Sequence, residues 1–232
     1  PVDRDELFEF DVVILGDIDP GFLSTGTQQN LRDFVRNARG GLILVAGTRF
    51  NPVAYRGTPL EDLVPADLAT LRVPDPAESS GPWHSRLTTA AIESTSLFGS
   101  RSERDRVGSR IRELPPFYWL LEIPRTRPGA VVLMECSDGS VNDRGHPAVI
   151  LQRYGAGSVL FHATDEIWRW RLRDGQALYA RYWSQAIRLL GRARLLGQTR
   201  TAELTAERTE YAPGETTTLR LRFFSTADAP AA

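Results

Sequence analysis

Phe10-Asp-Val-Val-Ile-Leu-Gly16 is an apolar run of strand length that stops at Asp17-Ile18-Asp19-Pro20, a turn signal rich in carboxylates. Its near-continuous apolarity, with no polar alternation, predicts a parallel strand buried on both faces. Downstream, Ser24 and Thr25 stand as caps before Leu31, Phe34, Val35 and Ala38, which fall at i, i+3, i+4 and i+7 and so form one apolar face of a helix. Gly40-Gly41 is expected to close that helix, and Leu42–Val45 is a second apolar strand. Residues 10–46 therefore read as a βαβ unit, for which a right-handed crossover is strongly favoured.

The pattern then loosens. Residues 47–57 read as a polar loop, Pro59–Leu63 as a helical turn, and prolines at 65, 74, 76 and 82 argue against regular structure up to Trp83. Ser100–Leu114 is charged enough to be a solvated helix. Strands are expected at Trp119–Ile123 and Val131–Cys136, then at Ala148–Tyr154 paired with Ser158–Ala163 across Gly155-Ala156-Gly157. Gly175–Leu195 places Leu178, Tyr182, Ala186, Leu189 and Leu190 at helical spacing, a long amphipathic helix suited to cover a sheet face. Thr201–Glu210 and Thr216–Phe224 flank the turn signal Tyr211–Glu215, and Leu219, Leu221 and Phe223 alternate with Arg220 and Arg222 as in a half-wet strand. Two strands alone are marginal, so this hairpin is read either as an appendage of the main domain or as the start of a truncated β-sandwich. The expected division is an α/β domain over 1–197 and the hairpin over 198–232. The first residue is Pro1, and Ala227–Ala232 resembles a linker, so the sequence is expected to be a piece of a longer chain.

Composition narrows the chemistry. The 232 residues carry 28 basic against 29 acidic side chains, all 28 of the basic ones Arg, for a net charge of −1. Such a balance lacks the positive field of a non-specific nucleic-acid binder. One Cys excludes an internal disulfide framework and a cysteine-cluster zinc site, and the absence of Lys removes Schiff-base chemistry. No apolar run approaches the roughly 20 residues that span a bilayer.

Several segments in order resemble the class I glutamine amidotransferase-like domains of large bacterial membrane-anchored proteins, which often carry a von Willebrand factor A domain as well. They are Phe10–Asp17, Leu31–Val35 leading to Gly40–Gly47, Gly57–Leu60, Leu114–Trp119, Arg127–Leu133 and Arg153–Leu160 running into Thr164–Arg171. The resemblance covers most of residues 7–195 and implies a flavodoxin-like three-layer α/β/α sandwich. It implies a soluble segment of a membrane-anchored protein, with the extracytoplasmic side favoured, whose partners are other domains of the same chain or another protein. No cofactor is expected. Active members of that superfamily hold a Cys in a G-x-C-x-G turn after the strand matching Leu42–Val45, where backbone N–H groups bind the oxyanion and a His on a later strand takes the thiol proton. Here the turn reads Val45-Ala-Gly-Thr-Arg49, without a nucleophile.

Gly47, Thr48, His162 and Asp165 are accordingly read as remnants: His162-Ala-Thr-Asp165 stands near the superfamily's His-x-Glu position with its carboxylate one residue late. The lone thiol, Cys136, lies in an apolar strand with no base matched to it by spacing, and reads as an inert core residue. Asp17 and Asp19 would share a face if the strand continued, and could hold a divalent cation; alternatively Asp19 starts the turn and Asp17 pairs with Arg49 or Arg169. Trp168-Arg-Trp-Arg-Leu-Arg173 interleaves rings and guanidinium groups, fit either to stack and clamp a ligand or to stitch strand to helix through Glu166 and its neighbours. Three functions follow: a non-catalytic binding or structural module; a re-purposed metal-assisted hydrolase using Asp17, Asp19 and His162; and a carbohydrate- or peptide-binding module, which requires Trp168 or Trp170 to be exposed beside a groove.

Overall fold

The computed structural model describes residues 3–75, 81–94, 97–98, 101–140, 145–174, 176–198, 202–206 and 218–223. Six strands, β1 (Val12–Leu15), β2 (Gly41–Val45), β3 (His84–Leu87), β4 (Val131–Ser137), β5 (His146–Tyr154) and β6 (Gly157–His162), form one sheet in the order β1-β2-β6-β5-β4-β3. β1, β2 and β6 run parallel, whereas β6, β5, β4 and β3 alternate in direction. The helices are α1 (Arg4–Leu7), α2 (Thr25–Arg36), α3 (Thr89–Ser94), α4 (Arg101–Arg112), α5 (Arg171–Asp174) and α6 (Ala177–Gln198). The protein is thus a mixed α/β structure built on an open sheet.

The register shows how helices reach both faces. Gly41 pairs with Ser158, so these two residues point to one side, and a Cβ at Gly41 would meet Leu190 of α6. Gly157, one residue away and so on the other side, has Val35 of α2 against it. Ser158, Leu160 and His162 therefore face α6, while Val159 and Phe161 face α2. All five central residues from Val159 to Ala163 are fully buried, as an unbroken apolar strand between two helical layers should be. Ser24 caps α2 by accepting the Thr27 N–H at 3.1 Å. At its other end the left-handed residue is Arg39 (φ 62°) rather than either glycine; Gly40 is required for closeness, because a Cβ there would fall 2.3 Å from the Phe34 ring.

Two expectations need correction, and one strand lies outside them. The first strand is not buried: β1 is the sheet edge, all four of its residues reach solvent to some degree, and Ile14 is 48% exposed. Apolarity alone cannot tell a central parallel strand from an edge strand lying against helices on both sides. Trp119–Ile123 is not a strand of the sheet. Pro115, Pro116 and Pro124 remove donors around it, so its groups bond piecemeal, Phe117 with Trp83, Glu122 with Arg72, and Leu121 with the Ala163 carbonyl just past β6. An edge strand at His84–Leu87 was not foreseen, being short and polar. In the second compact unit, residues 194–232, β7 (Ala202–Ala206) pairs antiparallel with β8 (Leu219–Phe223); the expected turn at Tyr211–Glu215 and the segment Ala227–Ala232 lie outside the described residues.

Gly157 is the tightest backbone passage in the sheet, since a Cβ there would lie 2.3 Å from the Gly40 carbonyl oxygen and 2.4 Å from that of Val35. Backbone cannot yield as a side chain can. Gly157→Ala is expected to cost about 3 kcal/mol, whereas Gly108→Ala in α4, where the nearest atom is 3.9 Å away, should be neutral or stabilise by up to about 1 kcal/mol. Urea unfolding of the two variants checks the contrast.

Candidate functional site

The carboxyl ends of β1, β2 and β6 bring together the three chemically loaded segments. Asp17, two residues beyond β1, turns its carboxylate into the loop that follows β2. Its Oδ2 accepts the Arg49 N–H at 3.0 Å, and its Oδ1 accepts the N–H groups of Phe50 and Asn51, each at 2.7 Å. Three successive backbone donors thus converge on one anion, the geometry of an anion nest. Gly47 gives the carboxylate room: a Cβ at that position would lie 2.2 Å from the Asp17 carboxyl carbon.

Asn51 completes the turn. Its side-chain amide donates to the carbonyls of Gly16 at 3.1 Å and Val45 at 2.8 Å, and its own carbonyl accepts the Gly47 N–H at 3.0 Å. It is 1% exposed. Nothing in the sequence reading singled it out; the signal present was an Asn-Pro pair inside a polar loop. Thr48 and Arg49 sit exposed at the tip, with the Arg49 guanidinium over the Phe50 ring.

Asp19 takes no part in this arrangement. Its Oδ1 accepts the Gly21 N–H at 2.8 Å and caps the single turn Pro20–Phe22, so the chain bends between the two aspartates and their carboxylates serve separate backbone segments. Asp17 pairs with backbone amides, not with the guanidinium groups of Arg49 or Arg169 that were expected. Among the described residues no group of three or more His, Cys, Asp or Glu side chains is arranged to hold a metal ion.

His162 ends β6 beside the same turn, its carbonyl accepting the Ala46 N–H at 2.8 Å, yet its ring lies beneath the sheet against α6 and is fully buried. Nε2 lies 2.5 Å from the Tyr182 hydroxyl, and the Trp183 ring centroid is 5.3 Å from its own. Burial drives the imidazole pKa down to about 3, with the Leu44 backbone opposing weakly, so the ring is neutral at physiological pH. The same burial raises the Tyr182 hydroxyl. Tyr182 was read from its helical spacing as packing; its hydroxyl, on the face that β6 parity assigns to His162, is the polar partner.

Asp165 lies at the rim, where partial burial first, and then the charges of Glu166 and Asp17, push its carboxyl up. The carboxylate with the denser set of partners is Glu166. It accepts the N–H groups of Tyr118 at 2.5 Å and Trp119 at 3.2 Å and bonds the Arg169 guanidinium at 2.9 Å. Arg169 in turn lies over the rings of Tyr118 and Trp168. This is the stitching anticipated for the segment, and Arg171 rests over the Tyr179 ring. Trp170, Trp83 and Trp119 are buried, and Trp168 is 45% exposed.

Cys136 is fully buried on β4, with Ser85 Oγ 3.9 Å from its sulfur. The β4–β5 register sets His146 opposite it, a neighbour that sequence spacing could not reveal. The His146 ring packs edge-on against Trp83.

No protein-family model matches the chain, and no curated protein matches it significantly. Solved structures do resemble it. The Cytoplasmic Protein STM3548 from Salmonella typhimurium superposes with a TM-score of 0.54 at 16% identity, covering 82% of this chain and 75% of that one. The Cytoplasmic Protein STM1381 from Salmonella typhimurium LT2 gives 0.54 at 19% identity, over 82% and 76%. The exo-beta-1,4-mannosidase Op5Man5 from Opitutaceae bacterium strain TAV5 gives 0.43 at 19%, over 77% of this chain and 25% of that one. At these identities the first two likenesses are likenesses of fold.

Two outcomes follow from this geometry. Asp17→Ala leaves three amides without their shared acceptor and should cost about 3 kcal/mol in urea unfolding, against about 1 kcal/mol for Asp19→Ala, which removes one capping bond. Because the folded His162 pKa is about 3 and the unfolded value 6.5, the unfolded chain binds the extra proton between those values. The His162 contribution is therefore complete above pH 6.5 and is lost progressively as pH falls towards 3. Between pH 7 and pH 5 the wild type should lose about 2 kcal/mol more stability than His162→Gln, read from urea midpoints at each pH.

Proposed function

We propose that this chain is an amidotransferase-like domain of the flavodoxin-like three-layer class that has no nucleophile and serves as a binding or structural module within a larger, membrane-anchored protein. The single observation that supports this reading most is the Asp17 carboxylate seated on the amides of Arg49, Phe50 and Asn51. In the superfamily the corresponding turn presents a thiolate and leaves backbone donors open for an oxyanion. Here the chain's own anion occupies the donors of that turn, so a tetrahedral oxyanion would have to compete with a carboxylate that is covalently part of the domain.

The base is equally disengaged. A general base must come within hydrogen-bond reach of the proton it takes. The His162 ring is held under the sheet by Tyr182, while Thr48, the one hydroxyl of the turn, projects at the surface. His162 is fully buried and Thr48 is exposed. The buried imidazole cannot reach the hydroxyl that the surface exposes, and the turn acts as a structural lock joining β1 to β2.

The parallel core β1-β2-β6, with α2 and α6 on opposite faces, supports the three-layer class. The membrane-anchored context rests on the family resemblance alone; among the described residues no helix is long and apolar enough to cross a membrane.

Glutamine incubated with the purified chain should release no ammonia above the uncatalysed rate, in the wild type and equally in Thr48→Cys, followed by a coupled glutamate dehydrogenase assay. Ammonia release by the wild type that is abolished by one substitution within residues 47–49 or at His162 would overturn the reading.

A further inference from the structure

Beyond the strand ends, where β6 passes through a single turn (Glu166–Trp170) into α5, the side chains of Trp168, Arg171, Leu172 and Gln176 line a cavity of about 380 Å³. Its volume lies within the range of small-molecule sites. Its walls are unusual for a surface hollow: an indole that is 45% exposed, a leucine that is 68% exposed, one guanidinium and one carboxamide, with no carboxylate among them. From this combination we infer that the cavity is a binding site for an acidic saccharide, a pyranose that carries a carboxylate, such as a uronic acid residue.

The indole is pre-positioned. Arg169 lies 4.9 Å from the Trp168 ring centroid and 4.7 Å from that of Tyr118, and Glu166 anchors the Arg169 guanidinium at 2.9 Å. Glu166 is itself fixed by the Tyr118 and Trp119 amides. Trp168 is thus braced by a cation that does not line the cavity, which leaves ring surface towards the hollow. A flat apolar platform held in place before binding lowers the ordering cost of stacking a sugar ring on it.

The charge chooses the ligand class. Arg169 is neutralised by Glu166, and Arg173 has Glu113 at 3.7 Å. Arg171, between them, has the Tyr179 ring at 5.7 Å and, among the described residues, no carboxylate within ion-pair distance. A solvent-facing guanidinium beside a braced indole suits a planar anion, which it can grip with two parallel hydrogen bonds. Gln176 adds one acceptor and two donors, the complement of a ring hydroxyl. A cationic ligand is disfavoured by Arg171. An aromatic acid is a poorer fit, because the open hollow would leave one of its apolar faces in water. A pyranose has one apolar face to stack and a hydroxyl rim that stays hydrated.

This inference rests on the reading of the chain as a binding module, and its test is separate from the glutamine assay: loss of one leaves the other standing. The full chain is titrated with trigalacturonate and with the neutral trimer galactotriose, followed by tryptophan fluorescence and by the indole N–H signals in a ¹⁵N–¹H spectrum, with the Trp168 signal assigned through Trp168→Phe. Trigalacturonate is expected to shift the Trp168 signal and to bind at least about tenfold more tightly than galactotriose. Trp168→Ala and Arg171→Gln should each weaken it by about tenfold or more, with unchanged circular dichroism because both side chains are exposed. The inference is overturned if trigalacturonate does not bind at ~10 mM, if both variants bind it as the wild type does, or if galactotriose binds equally well and Arg171→Gln has no effect.

Discussion

The seating of one carboxylate on three consecutive amides organises the whole end of the sheet. Asp17 accepts the Arg49, Phe50 and Asn51 donors, and Asn51 in turn closes the carbonyls of Gly16 and Val45. A turn that buries Gly47 and Asn51 has backbone groups that water reaches poorly, and each left alone would carry a desolvation penalty. The β1 and β2 ends satisfy one another. Because β2 also bonds β6 through Ala46 and the His162 carbonyl, the lock at Asp17 fixes the starting geometry of everything that follows β6.

That dependence separates two kinds of polar chemistry on one fold. Near the sheet, His162, Tyr182, Asp17 and Asn51 are buried or half-buried and spend their hydrogen bonds within the chain. Farther out, the Glu166–Arg169 pair is internally matched but holds an exposed indole beside Arg171, which has no carboxylate partner among the described residues. The first set stabilises; the second leaves surface and charge for something else.

Much of the framework was legible in the sequence. The βαβ unit, the β5–β6 hairpin, the strand expected at 131–136 and the long α6 all follow from hydrophobic period and glycine turns, because burial on a regular element leaves a periodic trace. The absence of a thiol from residues 45–49 was likewise readable. What stayed hidden depends on contacts between distant residues. The role of Asp17 needed the approach of residue 49 to residue 17, the neighbour of Cys136 needed the β4–β5 register, and the partner of His162 needed Tyr182 to be read for its hydroxyl as well as its ring. The edge position of β1 was hidden for another reason: Val-Val-Ile-Leu is the same string whether a strand has one neighbour or two. Trp119–Ile123 misled because its aromatic and aliphatic content mimics a strand, while the flanking prolines that break the ladder carry the real information.

The pairing of residue 45 with residue 162 has a consequence for how the chain reaches this state. β1, α2 and β2 close on themselves within one short stretch, and β5 and β6 close across the turn at Gly155. The seam between β2 and β6 closes only after more than half of the first unit has been threaded between them, and loop-closure entropy makes such a contact late. Of the strand pairings in this sheet, the β2–β6 seam joins the residues farthest apart in sequence. That line is where Gly157 passes the Gly40 carbonyl with no room for a Cβ, so a glycine that looks like a packing detail sits on the seam whose closure spans the most chain.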